Sequence, residues 1–159
     1  MAGKKPRNNK PPQQQFKNRR AFYQHEILEK VECGIVLTGS EIKSLRDGQI
    51  NLSDSYARID DGEVFLINCH ISEYKNASYF GHEPLRKRKL LLHRAEIRKL
   101  ERKVELKGFT LVPLRVYFNA RGIAKVELGV GRGKQLHDKR QSVKTRDTER
   151  EMRREMSRY

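Results

Sequence analysis

The chain of 159 residues has no tryptophan, only two cysteines and no long apolar run, and each absence excludes a class of function. A membrane-spanning helix needs about 18 or more consecutive apolar residues. Here 35% of the side chains are charged and no such window occurs. The first 17 residues hold no apolar stretch of the roughly 7 to 15 residues that a secretory signal requires. Pro6, Pro11 and Pro12 would break the amphipathic helix of an organelle presequence. A cytoplasmic protein without membrane contact is therefore predicted. Cys33 and Cys69 lie in separate apolar segments without C-x-x-C spacing, which fits buried reduced thiols. The histidines at 25, 70, 82, 93 and 137 lack metal-ligand spacing, and neither a glycine-rich phosphate loop nor a nucleophile elbow is present. No metal, cofactor or catalytic group is predicted.

The first 20 residues also lack any acid, and with seven basic side chains they carry +7. Residues 131–159 carry ten basic and five acidic side chains, so only +3 of the net +15 remains for residues 21–130. Both ends hold few large apolar side chains and could not offset the entropy of ordering. The predicted organisation is a basic flexible arm over 1–20, a globular domain over 21–133 and a basic tail over 134–159. Charge is also divided within the domain: residues 86–107 hold +7, which leaves a remainder of −4. Such polarity orients a polyanionic partner as well as attracting it.

Apolar residues alternate from 21 to 38 through Tyr23, Ile27, Val31, Cys33, Ile35 and Leu37, which predicts one long strand, with Gly34 where it bends. Thr38 and Glu41 have capping-box spacing before a short helix that Gly48 can end. Strands are expected over 50–59 and 63–71, joined by the hairpin signal Asp60-Asp61-Gly62. Ile97, Leu100 and Val104 share a helical face ahead of Gly108. Two further alternating runs, 110–119 and 123–130, flank Arg121-Gly122. This is a mainly β, α+β pattern: a small antiparallel OB-like barrel with flanking helices.

For catalysis the best local group is Asp54, Asp60, Asp61 and Glu63, which a metal-dependent nuclease could use; a polar hairpin tip explains the same residues. Nucleic-acid binding has wider support. The arm ends in Arg19 and Arg20, Arg86-Lys87-Arg88-Lys89 is a continuous run, and the following helix adds Arg94, Arg98, Lys99, Arg102 and Lys103. Phe22, Tyr23, Tyr56, Tyr74, Tyr79, Phe80, Tyr117 and Phe118 could stack on bases or fill the core. In the tail, Arg146, Arg150, Arg154 and Arg158 recur every four residues, a row drifting about 40° per step on a helix. Thr145, Thr148, Met152 and Met156 form a thinly apolar second row. So polar a segment is expected to be disordered when free and helical along a phosphate-lined channel.

Four segments in order carry a resemblance: Glu32-Cys33-Gly34-Ile35-Val36-Leu37-Thr38-Gly39-Ser40-Glu41-Ile42-Lys43-Ser44-Leu45-Arg46, Asn51-Leu52-Ser53-Asp54-Ser55-Tyr56, Arg88-Lys89-Leu90-Leu91-Leu92-His93, and Gly131-Arg132-Gly133-Lys134 through His137-Asp138-Lys139-Arg140. From about residue 18 onward the chain resembles the bacterial tmRNA-binding (SsrA-binding) protein family. The resemblance implies an OB-fold barrel, no catalysis and a role in trans-translation. It further implies binding of the tRNA-like domain of tmRNA, with alanyl-tRNA synthetase and elongation factor Tu engaged through that RNA. Entry of a monomeric protein into the small-subunit decoding centre and messenger channel of stalled ribosomes is implied as well. Carried onto this chain, Asn18, Glu32, Leu91, Arg132, Gly133 and Lys134 are RNA-binding positions. Asp138, Lys139 and Arg140 match the tail motif needed on the ribosome, continued by Arg146, Arg150, Met152, Arg154 and Arg158. Gln135 stands where some relatives have a second lysine. The alternative from another class is a structural ribosomal protein, against which the −4 remainder counts.

Overall fold

Turn and cap residues cut the chain where the sequence marks them. The computed structural model describes residues 14–77 and 81–157. In chain order these form β1 (Gln15–Lys17), α1 (Arg19–Gln24), β2 (His25–Ile35), α2 (Gly39–Arg46), β3 (Ile50–Asn51), β4 (Tyr56–Asp60), β5 (Glu63–Ile67), β6 (His70–Ile71), β7 (Arg88–Leu91), α3 (Arg94–Lys107), β8 (Thr110–Phe118), β9 (Ala124–Gly133) and α4 (Leu136–Met156). Asp60 pairs with Glu63, so Asp61 (φ 50°) and Gly62 (φ 72°) form a two-residue hairpin loop with both φ positive. Thr38 and Glu41 close the predicted capping box on α2. Gly108, left-handed at φ 62°, stops α3.

The sheet closes on itself. β8, β4, β5, β7, β2 and β9 follow one another round a ring in which every pairing is antiparallel, and β8 pairs again with β9. β1 adds to β8, and β3 pairs with β6 in a separate ribbon. Cys33, Val64, Leu66, Leu90, Leu111, Val116, Val126 and Leu128 are all buried in one core, to which α2 adds Leu45 and α3 adds Ile97 and Leu100. Each such aliphatic stabilises by about 1.5–3 kcal/mol when fully buried. Burial also pushes the thiol of Cys33 up to about 12 and that of Cys69 up to about 11. The mainly antiparallel α+β architecture is the predicted class.

Two sequence expectations are corrected. Residues 19–24 are helix rather than the start of a strand, because Asn18 caps them: its Oδ1 accepts from the Ala21 N–H at 3.1 Å. Residues 15–20 consequently belong to the folded body, with β1 in the sheet; residues 1–13 lie outside the described part. The expected strands 50–59 and 63–71 are each broken in two. The tail forms the helix α4 over 21 residues, and no side chain in it is buried. Its composition of Arg, Lys, Glu, Gln and Met suits a helix, and the hydroxyls of Thr145 and Thr148 donate back to the Gln141 and Lys144 carbonyls at 3.0 Å.

Candidate nucleic-acid interface

One basic patch is built where α1, the end of β9 and the root of α4 meet. Asn18 is buried and fully used. Besides capping α1, its Nδ2 donates to the carbonyls of Leu52 (2.8 Å) and Pro113 (3.0 Å). It fixes the start of α1, where Arg19 and Arg20 stay exposed. β2 starts at His25 opposite Gly133, so Arg132 lies beside Glu26 and pairs with it at 2.8 Å. Lys134 locks the junction: its backbone N–H donates to the Gln24 carbonyl at 2.8 Å and its Nζ to the Phe22 carbonyl at 3.1 Å. The Lys134 ammonium is thus half-buried against the C-terminal end of α1, a favourable place for a cation. Burial holds His25 below the ordinary imidazole value against a raising backbone bond to Ala21, and the Lys139 charge adds to the lowering.

Glycines let the strands come this close. A Cβ on Gly131 would sit 2.1 Å from the Glu26 carbonyl oxygen, whereas one on Gly133 would meet nothing within 4 Å. Gly131 serves the protein's own packing, and Gly133 leaves open space on the outer surface.

Glu32 and Leu91 lie at the other end of β2. Gly34 pairs with Leu91, whose Cβ would be 3.2 Å from a Cβ on the glycine, so Gly34 permits the crossing of β2 and β7. The two residues line one cleft of about 360 Å³ with His93, Glu96 and Lys125. Leu91 is 51% exposed and is therefore not core. Glu32 accepts a hydrogen bond from the Tyr117 hydroxyl, and burial together with that carboxylate pushes Tyr117 up to about 12. Tyr117, one of the aromatic residues that could stack on a base or fill the core, instead donates to Glu32, and Lys125 beside them is a neighbour that sequence reasoning did not place at a site. The predicted hairpin around Gly122 sets Tyr117 opposite Lys125, but only the β2–β9 pairing brings both to Glu32.

The run at 86–89 is corrected at Arg88. Arg88 is completely buried, donating to Glu41 (2.9 Å) and to the carbonyls of Cys69, Arg86 and Pro84. Arg86 also pairs with Glu41, Lys87 with Asp60 and Lys89 with Glu63. Alternation along β7 turns Arg88 inward, so it is a structural residue and not a phosphate ligand. The acidic group disperses in the same way: Asp54, in the turn before β4, pairs with Arg20, whereas Arg58 and Lys87 hold Asp60, at the end of β4, below the usual carboxylate range. Among the described residues no group of three or more His, Cys, Asp or Glu side chains could hold a metal, and no helix is long and apolar enough to cross a membrane. Tyr79, Phe80 and Arg158 lie outside the described residues. In α4, Asp138, Arg140, Arg146, Arg150, Met152 and Arg154 are exposed, and Lys139 is partly covered beside α1.

Known proteins match this architecture along most of its length. The family described as SmpB protein matches residues 15–158. An SsrA-binding protein of Nostoc sp. is 59% identical over 144 residues, covering 89% of this chain and 92% of the relative. One from Symbiobacterium thermophilum is 56% identical over 135 residues, 85% of each chain. A solved chain from "tmRNA-SmpB: a journey to the center of the bacterial ribosome" superposes with a TM-score of 0.65 at 54% identity, covering 77% of this chain and 85% of that one. With the closed antiparallel sheet, the capped α1 and the junction to α4 in place, the chain belongs to the SmpB family of SsrA-binding proteins.

Proposed function

We propose that this chain is a non-enzymatic RNA-binding adaptor of trans-translation. It holds the tRNA-like domain of tmRNA and brings it to stalled ribosomes, so that incomplete proteins are tagged for proteolysis. The observation that carries the reading is the junction of α1, β9 and α4, where the exposed guanidinium groups of Arg19, Arg20 and Arg132 surround the root of a cationic helix. The pairs Arg20–Asp54 and Arg132–Glu26 are solvent-exposed, with side chains roughly half or more accessible. Exposed pairs are worth about 0–1 kcal/mol, so a phosphate can replace the carboxylate. Glu32, held by Tyr117, offers an acceptor for a ribose hydroxyl or a base N–H, and Leu91 an apolar face. α4, with Asp138, Lys139 and Arg140 at its root, enters the messenger channel near the small-subunit decoding centre. Elongation factor Tu and alanyl-tRNA synthetase are reached through the RNA, and the protein acts as a cytoplasmic monomer.

The test is capture from a bacterial lysate with the tagged full-length chain. One abundant RNA of tmRNA size is expected. Stoichiometric presence in every 70S particle, without enrichment of that RNA, would instead make it a structural ribosomal protein.

A further inference from the structure

Residues 86–107 contain ten basic side chains, and seven of them are engaged within the protein. Arg86 and Arg88 share Glu41, Lys87 pairs with Asp60 and Lys89 with Glu63, Lys99 and Lys103 share Glu29, and Lys107 lies over the ring of Phe109. The other three, Arg94, Arg98 and Arg102, are exposed on α3. Among the described residues none has a carboxylate within 4 Å, although Glu101 and Glu105 stand on the same helix. Four residues of α-helix advance about 6 Å and turn about 40°. The three guanidinium groups thus form a slowly twisting row that consecutive phosphates of one strand can follow.

At the head of the row opens a cleft of about 630 Å³, whose walls include Leu91, Arg94 and Arg98 together with Asp61, Glu101 and the Lys89–Glu63 pair. It belongs to β5 and β7; in the order of the ring β5 lies opposite β9, which ends at the junction. Leu91 nevertheless also walls the smaller cleft that holds Glu32 and Lys125. The two clefts thus meet at Leu91, and β2 runs from the junction at His25 to the smaller of them.

We infer that Arg94, Arg98 and Arg102, with the Leu91 cleft at their head, hold a second segment of the same RNA that the junction holds: its phosphates lie on the arginines and an unstacked nucleotide lies against Leu91. The inference rests on the proposed function and adds a contact that wraps the RNA round about half of the ring. Continuity through Leu91 selects that RNA over ribosomal RNA, and the row of free cations selects a polyanion over a protein partner.

The test compares the full-length chain with R94Q/R98Q/R102Q in binding the transcribed tRNA-like domain of tmRNA across a salt series. A control, K43Q/K75Q/R121Q, removes the same charge from exposed positions elsewhere. The row variant is expected to bind about tenfold or more weakly, with its log–log salt slope reduced by about two, while the control stays near the parent. An unchanged slope in the row variant, or an equal loss in the control, overturns the inference. Normal binding to this RNA with weakened binding to ribosomes also overturns it, because the row would then face ribosomal RNA. If the triple variant unfolds by circular dichroism, R98Q alone decides, with a slope lower by roughly 0.7–0.9 expected and no change refuting. Failure of the unaltered chain to bind this RNA would instead overturn the proposed function.

Discussion

Glu41 gathers three residues, Thr38, Arg86 and Arg88, onto one buried carboxylate. Fully buried at the start of α2, it accepts from Arg86 (Nε 3.0 Å, Nη2 2.7 Å), from Arg88 Nε at 2.9 Å and from the Thr38 N–H at 2.8 Å. Burial raises its pKa, but the Arg86 hydrogen bonds, the Thr38 backbone bond and the Arg88 charge together hold it down to about 2 from 4.5. A folded value below the unfolded one gives stability that is present above about pH 4.5 and lost as pH falls toward 2. The difference amounts to something on the order of 3 kcal/mol. Glu41→Gln leaves Arg88 buried without its counter-charge and is expected to cost about 3–5 kcal/mol at pH 7. Urea unfolding at pH 7, 4.5 and 3 checks the sign: the deficit should narrow below pH 4.5 as the parent's unfolded chain takes up the proton that its folded state does not, and a constant deficit would refute the assignment. The same residue explains why 86–89 reads as a nucleic-acid run in the sequence. Its counter-charges at 41, 60 and 63 lie 26 to 47 residues away in the chain and become partners only through the sheet.

At the scale of elements, the β2–β9 ladder decides where the basic junction forms. Between Ile27 and Glu29 the register shifts by one residue, so Leu28 bulges outward and is 54% exposed. Beside the bulge the strands approach so closely that Gly131→Ala would drive a methyl to 2.1 Å from the Glu26 carbonyl oxygen, a backbone atom that cannot turn aside. This substitution is expected to cost about 3 kcal/mol or more and to weaken RNA binding through displacement of Arg132 and Lys134, whereas Gly133→Ala should stay within about 0.5 kcal/mol. Thermal unfolding of the two variants separates the roles, and equal Tm values would refute the packing argument. Long periodic elements and their stops were legible in the sequence: α3 from its apolar face and Gly108, the β4–β5 hairpin from Asp-Gly, α2 from its capping box. α1 was not, because six residues span under two turns and Tyr23 and Ile27 extend the alternation of β2 backward. Its signal was Asn18 followed by Arg-Arg-Ala, an N-cap that resembles a basic motif. Of the site residues, the junction set follows from pairing His25 with Gly133 across 108 residues of chain, which no local pattern encodes.

For the molecule as a whole, the question is how the +15 is shared between holding an RNA and reaching the ribosome. The folded body engages many of its cations in pairs, such as Lys99 and Lys103 with Glu29 and Arg115 with Glu127; at the junction Arg20 and Arg132 hold only exposed pairs, and among the described residues the α3 row holds none. α4 is different: it buries nothing, and among the described residues no arginine in it has a carboxylate within 4 Å. An isolated helix of this kind is marginal in water, so its helicity depends on what it lies against. Truncation after Gln135 removes 24 residues but none of the core, none of the junction donors Arg19, Arg20, Arg132 and Lys134, and none of the α3 row. Charges farther than about 8–10 Å from the bound RNA are screened at physiological salt, so the lost tail should change affinity for the tRNA-like domain by no more than about threefold. Tagging of stalled products in a reconstituted translation reaction should nonetheless be abolished, since nothing would then enter the empty messenger channel. Measured together on one protein preparation, retained affinity with lost tagging assigns the two ends of β9 and α4 to different partners. A tenfold loss of affinity would show that Lys139 and Arg140 belong to the junction itself, and retained tagging would show that the body alone carries the RNA into the ribosome.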